Sequence, residues 1–170
     1  MAAAPRIIVL MGPAGAGKTT VGEVLAESLG WRFLEADEFH SPENIERMKR
    51  GIGLTDADRA PWLRAIHDAL RDLHARQVNV VLACSALKEQ YRRALVPSEA
   101  TDDVRFIYLR APESMLRERL AQRSGHYAGP SLLASQLATL EEPHEALWLD
   151  ASCEPAEIVR RIRHDLSLSR

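Results

Sequence analysis

Residues 6–19 read RIIVLMGPAGAGKT, and this stretch decides the fold of the 170-residue chain. Residues 6–11 are a short, apolar and β-branched run that stops at glycine, which is typical of a buried parallel strand. Residues 12–19 then fit the pattern G-x-x-x-x-G-K-[ST], in which backbone N–H groups of a glycine-rich loop surround phosphate oxygens. The stretch therefore predicts a P-loop between a first strand and a first helix.

The positions of this loop have separate tasks in phosphate binding. Glycines let the N–H groups turn inward, and the helix that opens at Lys18 adds the positive end of its dipole. Lys18 supplies a mobile cation to the β- and γ-phosphates, and the Thr19 hydroxyl is placed to ligate Mg²⁺. We therefore expect ATP and Mg²⁺ as cofactors. The predicted ATP-binding loop consists of Gly12, Pro13, Ala14, Gly15, Ala16, Gly17, Lys18, Thr19 and Thr20.

Beyond the loop, short β-like runs alternate with helix-like runs, which is typical of a doubly wound α/β domain. We expect residues 1–170 to form a single P-loop NTPase domain. Its predicted architecture is a three-layer sandwich, with a five-stranded parallel sheet, helices on both faces and a small lid. Ligands should gather at the carboxyl ends of the strands. Further strands are predicted at 31–36, 78–84, 104–109 and 146–149, and helices at 18–29, 41–50, 60–76, 113–123 and 155–165.

Composition and charge exclude several classes of protein. The net charge of −2 gives no sign of nucleic-acid or anionic-membrane binding. No apolar run approaches the roughly 18 residues that span a bilayer, and MAAAPR at the N-terminus is too short for a signal peptide's apolar region. Two cysteines, Cys84 and Cys153, argue against a disulfide framework. We therefore expect a cytoplasmic protein without nucleic-acid or membrane partners.

From the loop onward, the chain resembles the gluconokinase family, a branch of the shikimate-kinase and nucleoside-monophosphate-kinase group. The resemblance covers essentially the whole chain. Besides GPAGAGKT, it is carried by ADEFHSPENIERMKRGIGLTDADRAPWL (36–63), ACSALKEQYRRAL (83–95), RLAQRSGHY (119–127) and LLASQLATLEEP (132–143). It implies ATP-dependent phosphorylation of D-gluconate to 6-phospho-D-gluconate by a homodimer.

Several residues are candidates for binding the phosphoryl acceptor. Asp37 lies just past the second predicted strand, where a carboxylate can orient an attacking hydroxyl and accept its proton. Arg59 has the bidentate geometry that suits a carboxylate, and in the related shikimate kinases an arginine in this region grips the substrate acid. Gln136 replaces their second arginine, which indicates a more hydroxyl-rich substrate. The predicted substrate-binding residues are Asp37, His40, Arg59, Lys88, His126 and Gln136.

Four of these residues are also compatible with roles that involve no substrate. Asp37 can be an exposed capping residue, and His40 can be structural. Arg59 can be a surface arginine paired with Asp56 or Asp58. Lys88, one of only three lysines beside 19 arginines, can be a solvated helix residue.

Arginines near residue 120 are the candidates for the nucleotide side. Arg119 and Arg123 are four residues apart, so on one helix they would share a face. In the nucleotide-kinase relatives, the first stacks on adenine and the second contacts the transferring phosphates; the alternative is a solvated arginine face. Residues 124–130 are predicted to form the lid, and Pro155 the other side of an adenine clamp. The predicted catalytic residues are Lys18, Asp37 and Arg123.

The third predicted strand ends in Ala83, Cys84 and Ser85 without an aspartate. Mg²⁺ would then be held by Thr19, phosphates and waters, with help from Asp37.

Two further functions are compatible with the sequence. One is phosphorylation of another small acceptor such as shikimate or a nucleotide, although the acid-reading arginine pair of shikimate kinases is incomplete here. The other is an ATP-dependent regulatory switch.

Overall fold

A computed structural model describes residues 4–123 and 129–169. Its centre is a five-stranded sheet whose paired strands are all parallel, in the order β2-β3-β1-β4-β5. This sheet confirms the predicted fold. The strands are β1 (Ile7–Met11), β2 (Arg32–Glu35), β3 (Val80–Ala83), β4 (Val104–Arg110) and β5 (Leu147–Asp150).

Helices cover both faces of the sheet. Alternate residues of β1 point to opposite faces: Ile7 and Val9 enter one apolar cluster, and Ile8 and Leu10 enter the other. β1 is therefore apolar throughout and fully buried. The helices are α1 (Lys18–Leu29), α2 (Pro42–Lys49), α3 (Asp56–Ala75), α4 (Glu89–Leu95), α5 (Glu113–Ala121), α6 (Pro130–Thr139) and α7 (Pro155–Asp165), with 3₁₀ helices at Ala36–Phe39 and Ser98–Asp103.

Three features differ from the sequence-based expectations. The helix predicted at 60–76 begins at Asp56, because Thr55 and Asp58 form a capping box and Pro61 is accommodated inside the helix. Helix α5 ends at Ala121 rather than at residue 123. Of the predicted lid, residue 130 opens α6 and residue 129 is its N-cap, whereas residues 124–128 lie outside the part that the structure describes.

A third, smaller apolar cluster lies apart from the two faces of the sheet. It contains Met48, Leu54 and Leu132, with Ile45 packed against them, and so joins α2, the segment that follows it, and α6. Gly51 and Gly53 in that segment lie so close to α6 that a Cβ at either would collide with the hydroxyl of Ser131 or Ser135. The missing side chains let α6 sit directly against this segment.

No helix in the described ranges has both the length and the apolar character needed to cross a membrane.

Candidate active site

The loop between β1 and α1 has the backbone conformation that phosphate binding requires. Gly12, Gly15 and Gly17 have φ values of +145°, +87° and +92°, a region that L-residues with side chains rarely adopt. A Cβ on Gly12 would lie 2.9 Å from the Leu109 carbonyl oxygen. Gly17 is also the N-cap residue of α1, so the loop delivers its N–H groups directly to the positive end of that helix.

This loop opens onto a cavity at the carboxyl ends of β1, β2 and β3. The walls come from the loop itself, the segment after β2, the start of α3, the turn after α5, and α6. The cavity brings together ten of the predicted site residues. These are Ala14, Gly15, Gly17, Lys18, Thr19, Asp37, His40, Arg59, Arg123 and Gln136.

Lys18 is the cation that the phosphate-binding loop contributes to the cavity. Its Nζ donates to the Pro13 carbonyl at 3.1 Å. Desolvation lowers the pKa of the Lys18 ammonium, and the nearby carboxylates of Asp37 and Glu35 oppose that shift. A poorly hydrated ammonium has few partners to give up when an anion arrives, so it is well placed for phosphate oxygens.

Glu35, which the sequence reasoning missed, faces Thr19 at the end of β2. The Thr19 hydroxyl donates to Glu35 Oε2 at 2.5 Å, and burial raises the pKa of the Glu35 carboxyl. Its Oε1 also accepts from the Asp37 N–H at 3.4 Å. The Thr19 hydroxyl and the Glu35 carboxylate supply the hard oxygens that Mg²⁺ prefers, usually as one or two carboxylates beside phosphates and waters, and Asp37 lies next to them.

The described residues contain no cluster of three or more histidine, cysteine, aspartate or glutamate side chains that could hold an ion alone. A hydroxyl and a carboxylate leave most of the coordination of Mg²⁺ to phosphates and waters, so the donor set fits a metal bound jointly with a nucleotide. Glu35 could have been identified from its position at the carboxyl end of the second strand. There it pairs with Ala83, the last residue of β3.

His40 stacks on Trp62, with ring centroids 4.4 Å apart and planes within 9°. Trp62 is held in turn by donating from Nε1 to the Ala36 carbonyl at 2.7 Å. His40 Nδ1 is buried and has no hydrogen-bond partner among the described residues. Burial lowers the pKa of His40 to about 4, so the ring is neutral near pH 7. The wall of the cavity thus contains an uncharged polar ring.

Arg59 is 8% exposed, so it is a buried residue and not a surface arginine. Its Nη1 donates to the Leu54 carbonyl at 2.7 Å and to the Tyr91 hydroxyl at 3.0 Å. Within residues 4–123 and 129–169, Nε and Nη2 have no hydrogen-bond partner and are not fully buried, and Arg59 lines the cavity. Arg59 therefore keeps one edge of its guanidinium available for a bidentate anion.

Gln136 links α6 to the phosphate-binding loop. Its Oε1 accepts a hydrogen bond from the Ala14 N–H at 2.7 Å. Since the carbonyl end of the side chain is taken by this bond, the NH₂ end is the one left for a ligand.

Arg119 joins the phosphate-binding loop to the segment after β5. It donates from Nη1 to the Gly15 carbonyl at 3.2 Å and from Nη2 to the Ala151 carbonyl at 2.7 Å, and Pro155 follows as the first residue of α7. The expectation that Arg119 and Arg123 share a helix face was wrong, because α5 ends at Ala121. Arg123 nevertheless lies on the cavity wall.

Two other predicted residues, Lys88 and Thr20, lie away from the cavity wall. Lys88 donates from Nζ to the Asp56 carboxylate at 3.1 Å and is not part of the cavity wall. Thr20 is exposed on α1, outside the wall. His126 lies outside the described residues.

The chain is similar to known proteins over most of its length. A family model described as an AAA domain matches residues 7–147. A gluconokinase of Gluconobacter oxydans is 48% identical over 139 residues, which cover 82% of this chain and 77% of that protein. The structure of a gluconokinase from Sinorhizobium meliloti 1021 has a TM-score of 0.84 at 44% identity and covers 96% of this chain and 93% of its own. For a sugar kinase from Janibacter sp. HTCC2649 the TM-score is 0.88 at 42% identity, with coverage of 97% and 96%.

Proposed function

Because this chain belongs to the gluconokinase family, we propose that it transfers the γ-phosphoryl group of ATP to the primary hydroxyl of D-gluconate, giving ADP and 6-phospho-D-gluconate. One observation carries the proposal: a single cavity holds the phosphate-binding loop with Lys18, the Asp37 carboxylate and the buried guanidinium of Arg59. These are the three groups that a kinase of a hydroxy acid needs, for the phosphates, the attacking hydroxyl and the acid.

The loop and Lys18 bind the donor. Backbone N–H groups of the loop and the start of α1 bind phosphate oxygens, and Lys18 stabilises negative charge as the phosphoryl group leaves. Thr19 and Glu35 would hold Mg²⁺ with the phosphates, with Asp37 close by, and the metal supplies further neutralisation of phosphate charge when bound. The Thr19 hydroxyl is already engaged by Glu35, so the same pair can turn its oxygens toward a cation.

Asp37, Arg59 and His40 orient the acceptor. The free edge of Arg59 binds the carboxylate of gluconate. His40, which is neutral near pH 7, forms a hydrogen bond with one of the hydroxyl groups on the carbon chain of gluconate. Asp37 orients the attacking hydroxyl and accepts its proton, while the loose character of phosphoryl-transfer transition states keeps the demand on this base modest. Arg123 completes the charge stabilisation from the other wall.

A substrate panel with coupled detection of ADP tests the proposal. Gluconate is compared with shikimate and with nucleoside monophosphates at equal concentrations, and the product is identified by mass. Preferential turnover of gluconate is the expected result. A preference for shikimate or a nucleotide would replace the acceptor, and tight ATP binding without turnover of any acceptor would favour a regulatory switch.

The wider proposal covers the whole protein. We propose that the chain forms one domain and that it acts in the cytoplasm as a homodimer. Its cofactors would be ATP and Mg²⁺. Its two cysteines are both free, which accords with a reducing compartment. Light scattering after size-exclusion chromatography tests the dimer, and activity after chelation and graded Mg²⁺ addition tests the metal.

A further inference from the structure

The Tyr91 hydroxyl lies between the cavity and the protein surface. Tyr91 belongs to α4 and is 3% exposed. Its oxygen accepts from Arg59 Nη1 at 3.0 Å, and its hydrogen is donated to the Asp56 carboxylate in a short bond. Tyr91 does not line the cavity; its hydroxyl reaches the cavity through its hydrogen bond with Arg59.

The contacts of Arg59 fix the plane of its guanidinium. Both hydrogens of Nη1 are used, one by the Leu54 carbonyl and the other by Tyr91. The Arg59 Cζ also lies 5.2 Å from the centroid of the Tyr91 ring. Because the group is planar, two anchors on one nitrogen set the direction in which the Nε and Nη2 hydrogens point. That direction decides whether a carboxylate meets two donors or one.

Asp56 fixes the direction of the Tyr91 hydroxyl. A phenol hydroxyl rotates, and it accepts from Arg59 only when its own hydrogen points elsewhere. The Asp56 carboxylate takes that hydrogen and is itself held by Lys88 Nζ at 3.1 and 3.3 Å and by Gln90 Nε2 at 3.2 Å. Hydrogen bonds from Tyr91 and then Lys88 lower the pKa of Asp56, so it remains an ionised acceptor at neutral pH.

We propose that Tyr91 is a positioning residue that aligns Arg59 with the carboxylate of the acceptor, and that Asp56 fixes the hydroxyl of Tyr91 for this task. This inference rests on the proposed function, because it assigns the Arg59 edge to the acid group of gluconate. It also explains why Lys88 lies away from the cavity: Lys88 holds the outer end of this chain of hydrogen bonds.

The first test removes one oxygen atom. Tyr91→Phe is compared with Tyr108→Phe, since Tyr108 is also 3% exposed and donates to the carboxylate of Glu142 at 3.2 Å, outside the walls of the active-site cavity. With Tyr91→Phe the KM for gluconate rises about tenfold, because a misaligned guanidinium offers the carboxylate one charged hydrogen bond in place of two. kcat and the KM for ATP stay within about twofold. Tyr108→Phe leaves all three near the wild-type values.

A double-mutant cycle separates positioning from general destabilisation. In an Arg59→Ala background, Tyr91→Phe should cause no further rise in the KM for gluconate, because there is no guanidinium left to align. Asp56→Asn, at an exposed side chain, should raise the same KM by less than Tyr91→Phe does. Thermal melting of each variant checks that it is folded.

Certain outcomes would overturn this inference. They are equal effects of Tyr91→Phe and Tyr108→Phe, equal rises in the KM for gluconate and for ATP, or full additivity with Arg59→Ala. If Asp56→Asn left the KM for gluconate unchanged, the proposed role of Asp56 in fixing the Tyr91 hydroxyl would be wrong. Wild-type enzyme that turns over no gluconate would instead overturn the proposed function, and that result is visible before any variant is made.

Discussion

Replacing Arg59 by lysine keeps a positive charge in the cavity but removes the planar fork. A lysine ammonium cannot contact the Leu54 carbonyl, the Tyr91 hydroxyl and both oxygens of a carboxylate in the present directions. Hydrogen bonds to charged groups contribute about 1.5–3 kcal/mol. We take about 2 kcal/mol as the loss of substrate binding, which corresponds to a rise of about 30-fold in the KM for gluconate.

Arg92→Lys is the matched control for this substitution. Arg92 is also 8% exposed, and its Nη1 also makes two hydrogen bonds, to the Ala86 and Leu87 carbonyls at 2.8 and 3.2 Å. It is not part of the active-site wall. Both variants should therefore lower the melting temperature by similar amounts, whereas only Arg59→Lys should weaken gluconate binding.

Steady-state kinetics with each substrate varied in turn, and calorimetric titration of gluconate, measure the effect. The KM for ATP should change by no more than about twofold, because the phosphate-binding loop is untouched. Two results would refute the reasoning: an equal rise in both KM values, or an equal loss of gluconate affinity in Arg92→Lys. Either would mean that Arg59 acts through the fold and not through the acid group of the substrate.

Three further predictions concern the remaining walls of the cavity. Lys18→Ala should lower kcat at least about 100-fold with an unchanged circular-dichroism spectrum, since charge stabilisation at one such donor contributes several kcal/mol; near-normal kcat would contradict the role of the loop. Asp37→Asn should lower kcat by roughly 10²–10⁴, the range for a positioned base, while equilibrium titration shows ATP·Mg²⁺ affinity unchanged; collapse of that affinity would place Asp37 in the metal shell. His40 has a pKa of about 4 in the fold against 6.5 ordinarily, so the unfolded chain takes the proton first. Its contribution to stability is present above pH 6.5 and is lost as the pH falls toward 4, by about 1–2 kcal/mol once partial solvent screening is allowed for. Urea unfolding at a series of pH values measures this effect. The fall in the free energy of unfolding between pH 6.5 and pH 4 should be smaller in His40→Gln than in the wild type, and it should not become smaller in the exposed control His164→Gln.

The parts of the structure that depend on near neighbours in the chain could be predicted from the sequence. β1, the loop and α1 follow from a continuous apolar run, three glycines and a helical apolar stripe. Helix α7 also has its predicted bounds, 155–165, because a proline opens it and its apolar spacing is regular. The predicted start of α3 was too late in the chain, because the apolar stripe begins after the first turn and the capping box formed by Thr55 and Asp58 was not recognised.

The partners of the site residues could not be predicted, because they come from distant parts of the chain. Glu35 meets Thr19 across 16 positions, and Tyr91 meets Arg59 across 32. Lys88 was chosen for its residue type and its place after a strand. What decides its position is Asp56, again 32 residues away. Such pairings depend on strand order and helix packing, which local patterns do not specify.

The close approach between the glycines after α2 and the serines of α6 gives the proposed acceptor and nucleotide sites a common structural element. Helix α6 packs against Gly51 and Gly53 through Ser131 and Ser135. Through Gln136 it also accepts a hydrogen bond from a backbone N–H of the phosphate-binding loop. A methyl group at Gly53 would displace the Ser135 hydroxyl and crowd α6 at this contact; any shift of α6 would reach the loop through the bond from Ala14 to Gln136. A change of packing near the proposed acceptor site would then alter the affinity for the nucleotide, although no residue that contacts the nucleotide had been replaced.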